Sequence, residues 1–102
     1  MDYKPFTLSQ LMEMRQGWIA DNEPLVIARA RQDIYEGIID SFVFQGLTSY
    51  KQKIPREFYN FPKYTYLVGS LLAQLQLLFP DLVFKFADVG PNECGTIYVS
   101  IQ

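Results

Sequence analysis

The stretches "LVFKFAD" (82–88) and "TIYVSIQ" (96–102) each keep an apolar residue at every second position, the period with which side chains leave opposite faces of a β-strand. One antiparallel pairing puts both apolar sets on a common face: Leu82 opposite Ile101, Phe84 opposite Val99 and Phe86 opposite Ile97. A slip of one residue sets Phe84 against Ser100 and mixes the faces. A hairpin is therefore predicted, with Lys85 beside Tyr98 on its polar face. The joining "VGPNECG" offers Pro91 and Asn92 for the middle of a turn and Gly95 for a positive φ at its exit. A two-stranded ribbon is marginal alone and has two open edges. Something must cover them: "FVF" at 42–44, the connector that follows it, or another chain.

Three helices are predicted before the hairpin. Thr7 and Gln10 have the spacing of a capping box, and Phe6 with Leu11 that of a hydrophobic staple. The first helix therefore starts near Leu8, carries Leu8, Leu11, Met12, Arg15, Trp18 and Ile19 on one stripe, and ends at "ADNEP". Asp21 or Asn22 can cap a second helix with Pro24 in its first turn. Its buried side is Ile27, Ala30, Ile34, Ile38 and Phe42, and its wet side is Arg29, Asp33, Glu36 and Asp40, with Arg29 one turn from Asp33. Gly37 weakens it, and residues 42–44 fit either helix or strand. A third helix, about 61–79, is capped by Asn60, stopped by Pro80, and apolar on most of its circumference. Gly69, Ser70 and Ala73 form a small-residue strip on it. The predicted fold is α+β, a single small domain over 1–102 with three helices followed by a C-terminal antiparallel β-hairpin packed on the third helix.

Several chemistries are excluded by what the chain lacks. It has no histidine and one cysteine, Cys94, so the usual neutral-pH base, nucleophile triads, tetrahedral zinc and an intrachain disulfide are not expected. Glu93 beside Cys94 would raise the thiol pKa rather than activate it. The acids Asp33, Glu36 and Asp40 read as an exposed helix face rather than a metal or acid/base site. No enzyme activity, no cofactor and no metal are expected. The most apolar window, "YLVGSLLAQLQLLF", is too short to span a bilayer, and "MDYKPFTL" is unlike a secretory leader. No membrane partner is expected, and a reducing cytoplasmic setting or a virion is.

The net charge of −2 does not favour polyanions overall, but the charge is uneven. Residues 1–46 hold seven acids and four bases, 47–66 one acid and four bases, and 67–102 three acids and one base. The basic stretch "KQKIPREFYNFPKYTY" interleaves Lys51, Lys53, Arg56 and Lys63 with aromatic rings, a composition suited to a single nucleic-acid strand. A winged-helix-like arrangement would also give this order of elements. Against that, the third helix has few base-reading side chains and the turn carries Asp88 and Glu93. The rings Phe58, Tyr59, Phe61, Tyr64 and Tyr66 are equally well explained as anchors of a connector. A protein partner or self-association through the hairpin edge is the first expectation. Tyr50, Lys51, Lys53, Arg56, Phe58, Tyr59, Tyr98 and Val99 are the candidate contact residues, and nucleic acid is the alternative.

The tail from "LQLLFPD" through "TIYVSIQ", with no diagnostic motif, resembles the helix-then-hairpin ends of small proteins encoded by large DNA viruses. The resemblance implies only that a virion or large-complex component belongs among the structural, assembly-subunit roles.

Overall fold

A computed structural model describes residues 3–88 and 94–101. The first two predicted helices are one. Helix α1 runs Leu8–Ile39 and continues without interruption into a π turn, Asp40–Phe44, giving 37 helical residues in all. Pro24 lies inside it. A proline there removes one hydrogen bond and crowds the carbonyl four residues back, at a cost of about 3 kcal/mol. Asn22 does not cap a new helix; its Nδ2 turns back on α1 and donates to the Trp18 carbonyl at 2.7 Å, and the helix passes through the proline. Its start is as predicted: Thr7 Oγ1 accepts from Gln10 N–H at 3.2 Å and Gln10 Oε1 accepts from Thr7 N–H at 2.8 Å.

Residues 42–44 are helical, in the π turn. The turn stops at Gly46, the described non-helical glycine with positive φ (69°), where Leu47 N–H reaches back to the Ser41 carbonyl at 2.9 Å. This is the left-handed helix stop that glycine allows.

The hairpin is not alone. Strand β1 (Ser49–Lys53), strand β2 (Leu82–Ala87) and strand β3 (Thr96–Ile101) form an antiparallel sheet in the order β1-β3-β2. The β2–β3 register is the predicted one, with Phe84 on Val99, Phe86 on Ile97 and Lys85 on Tyr98. The connector supplies the extra strand: Tyr50 pairs with Val99, Lys51 with Tyr98 and Gln52 with Ile97. The fold is thus two helices and a three-stranded antiparallel sheet, not three helices and a hairpin, and β3 is the inner strand. The turn assigned to Pro91 and Asn92 lies outside the described residues. Gly95 does not take a positive φ; a Cβ there would meet the Phe86 ring, so close packing is what requires glycine.

After β1, a 3₁₀ helix (Arg56–Asn60) leads into α2 (Tyr64–Leu78). Asn60 does not cap α2, because the helix starts after Pro62 with Lys63 at its N-cap and no side-chain cap bond. Helices α1 and α2 pack against each other and on the sheet, α1 over β1 and α2 over β2. Val26, Ala30, Ile34 and Ile38 of α1 meet Leu67, Val68, Leu71 and Leu75 of α2, Ile97 and Val99 of β3, and Ile54, Phe58 and Phe61 of the connector in one core. Gln76 Nε2 donates to the carbonyls of Phe79, Pro80 and Leu82, tying the end of α2 to the start of β2. No described helix is long and apolar enough to cross a membrane.

The molecule is long. Its extents are 59 × 25 × 22 Å and its radius of gyration is 17.1 Å, against about 13 Å for a compact chain of 100 residues. At about 1.5 Å per residue, α1 with its π turn accounts for about 55 Å of the long axis.

Candidate functional site

Every described residue from Tyr3 to Trp18 is exposed. The first part of α1 therefore leaves the core, and its predicted apolar stripe is exposed over most of its length: Leu8 is 73% exposed, Leu11 48%, Met12 57% and Trp18 42%. Met14 and Leu25 widen the apolar surface at 55% and 56%. Full burial of each such side chain is worth about 1.5–3 kcal/mol. A run of apolar residues at helical spacing that the rest of the chain touches only at its base is a surface awaiting cover.

The base of this projecting segment is held by the connector. Trp18 stacks on Phe61 with ring centroids 5.2 Å apart, Arg15 donates to the Asn60 carbonyl, and its guanidinium lies 5.1 Å over the Trp18 ring. A groove of about 510 Å³ opens there between Met12, Ile19, Tyr59 and Phe61. At the opposite end of the molecule Val43, Phe44 and Leu78 are exposed beside a second apolar groove of about 330 Å³, lined by Ile39, Phe42, Pro80 and Leu82. The strip at Gly69, Ser70 and Ala73 borders open space, with nothing packed on Gly69.

The predicted contact residues divide. Phe58 and Val99 are in the core, so neither offers a side chain to a partner, and β3 offers no edge because β1 and β2 flank it. Tyr50 faces inward against Gly37 and its hydroxyl donates to the Gln52 side chain. Burial, and then the carboxylates of Asp33 and Asp40, raise the Tyr50 pKa. Tyr59 is an anchor: its hydroxyl accepts from Gly95 N–H at 2.9 Å and its ring lies 4.5 Å from that of Tyr64. Tyr64 donates to Asp88 at 2.7 Å, a bond that raises its own pKa. Of the five connector rings, Tyr66 is not an anchor, being 71% exposed. Arg56 is exposed at the start of the 3₁₀ helix.

Lys51, Lys53 and Tyr98 do come together, on the open face of the sheet. Lys51, Tyr98 and Lys85 form a row across the three strands, and Lys53, Thr96 and Ala87 form the next. Ser49, Ser100 and Val83 complete that face, which holds no acid among its described positions. Lys85 beside Tyr98 is expected from the hairpin, and β1 adds Lys51 to that row.

The expected Arg29–Asp33 pair is replaced by Arg29–Glu57 at 2.9 Å, joining α1 to the 3₁₀ helix. Glu36 accepts from Gln32 and Asp40 from Gln45. Among the described residues, no group of acids and cysteine is arranged to hold a metal ion. Comparison with known protein families, curated proteins and solved structures finds no match to this chain.

Proposed function

We propose that the protein is a non-enzymatic interaction or assembly subunit whose docking surface is the projecting first half of α1. One observation carries this reading: Leu8, Leu11, Met12, Met14 and Trp18 are exposed together on a helix that leaves the body. An amphipathic helix of this kind offers anchors at helical spacing to a complementary apolar surface. The exposed apolar cluster at Val43 and Phe44 gives the elongated molecule a second sticky end, which suits a subunit joined to neighbours at both. The test is site-specific photo-crosslinking in the producing cell. A photoreactive residue at Leu11 is expected to give a covalent protein adduct, and one at exposed Ala73 is not. Absence of any adduct at Leu11 and at Leu8 would remove the reading.

One observation favours a second reading, single-stranded nucleic acid on the open sheet face. Lys51 and Lys85 flank Tyr98 and Lys53 lies beside them, so a base could stack on the ring while the lysines meet phosphates. Affinity for a single-stranded oligonucleotide is then expected to fall steeply with salt, and to fall further in Lys51→Ala and Lys85→Ala. Equal weak binding by wild type and both variants at low salt would exclude this face.

A further inference from the structure

We infer that the open sheet face holds one nucleotide unit in a slot beside Tyr98, with the base against the ring and the phosphate on Lys51. The inference rests on the second reading above and deepens it by giving a base a seat. The slot comes from small residues in a fixed frame. Gly46, with its positive φ, turns the chain out of the π turn, and the bond from Leu47 N–H to the Ser41 carbonyl fixes where the chain enters β1. Ser49 of β1 is paired with Ser100 of β3, and the next row on the same face is Lys51 with Tyr98. Two serines between Leu47 and that taller row leave a depression of about 490 Å³, bordered by Leu47, Ser49, Lys51, Tyr98 and Ser100. This lies within the roughly 300–1,000 Å³ of small-ligand sites.

The chemistry of the slot selects its occupant. Leu47 and Tyr98 are 49% and 47% exposed, so each has apolar area for a flat ring to cover, and any base can stack on an aromatic side chain. The Ser49 and Ser100 hydroxyls can each donate or accept, which suits the polar edge of every base and singles out none. The face carries Lys51, Lys53 and Lys85 and no acid at its described positions, in a chain whose net charge is −2. The attraction for an anion is therefore local to this face. Asp40, the acid of the π turn, is engaged by the Gln45 side chain at 2.6 Å. Lys85 stands on the far side of Tyr98, its Cα about 10 Å from that of Lys51 at the usual strand spacing. A lone nucleotide therefore reaches only Lys51, whereas a strand crossing the ring also meets Lys85.

Amide NMR shifts of the purified full chain, titrated with adenosine monophosphate and with a short single-stranded oligonucleotide, test this. Both probes are expected to move the amides of Ser49, Lys51, Tyr98 and Ser100. Tyr98→Ala is expected to weaken both about 5- to 100-fold, and Tyr98→Phe to leave them unchanged. Ser49→Leu, which fills the slot without altering charge, is expected to weaken both as well. Lys85→Ala separates the two sources of the ligand: a loss for the oligonucleotide alone supports a strand, and no loss for either supports a free nucleotide. Oligonucleotide binding that obeys Lys51→Ala and Lys85→Ala yet ignores Ser49→Leu overturns the slot and leaves the nucleic-acid reading standing, whereas no shift with either probe sinks both. Inorganic phosphate that moves the same amides as strongly, or a polyglutamate chain that binds as tightly as the oligonucleotide, also overturns the inference, because neither carries a base.

Discussion

Gly37 sits where α1 crosses β1, and a Cβ there would overlap the ring and hydroxyl of Tyr50. From the sequence, this glycine is only a weak point in a helix, because helix propensity counts the backbone and not what lies across from it. The contact reverses the expected sign of a substitution. Gly37→Ala should gain up to about 1 kcal/mol in propensity yet lose about 1–3 kcal/mol by overpacking, so net destabilisation is expected in urea unfolding. Net stabilisation would mean that Tyr50 swings aside freely. Gly95 repeats the lesson with Phe86: a glycine read as a turn residue serves as clearance for an aromatic ring.

Pro24 decides the reading of whole elements. As the first-turn residue of a separate helix it would be neutral or favourable. Inside α1 it costs a hydrogen bond. Pro24→Ala is therefore expected to stabilise the protein by about 1–2 kcal/mol, the helix gain exceeding the added freedom of the unfolded chain; a loss of stability in thermal or urea unfolding would argue for a break at this point. The register of β2 on β3 was legible because both strands alternate and only one pairing buries both apolar sets. Strand β1, "SYKQK", was not, because it turns just Tyr50 and Gln52 inward and its other positions are serine and lysine. Its strand character comes from β3, which supplies the partner, rather than from its own pattern.

For the molecule as a whole, periodicity reveals that a helix has an apolar face but not what covers it. The stripe from Leu8 to Ile19 and the stripe from Ile27 to Phe42 look alike in sequence. The second meets α2 and the sheet, while most of the first meets solvent. The difference is one of reach: a continuous 37-residue helix outruns a body whose other two dimensions are 25 and 22 Å. The open sheet face was half legible for a related reason. Lys51 and Lys53 stand out in sequence as part of a basic stretch, but their alignment with Tyr98 and Lys85 exists only across strands distant in sequence.

The inner position of β3 has a bearing on birth order. A ribosome makes α1, β1, α2 and β2 before it makes the strand to which both β1 and β2 bond. Until residues 96–101 emerge, the nascent polypeptide carries Tyr50, Phe84 and Phe86 without the strand that pairs with theirs, alongside an oily helix already in the open. Premature release at that stage would yield a fragment prone to clumping, so a message truncated just upstream of Thr96 should burden the cell's chaperones more than one truncated before β1.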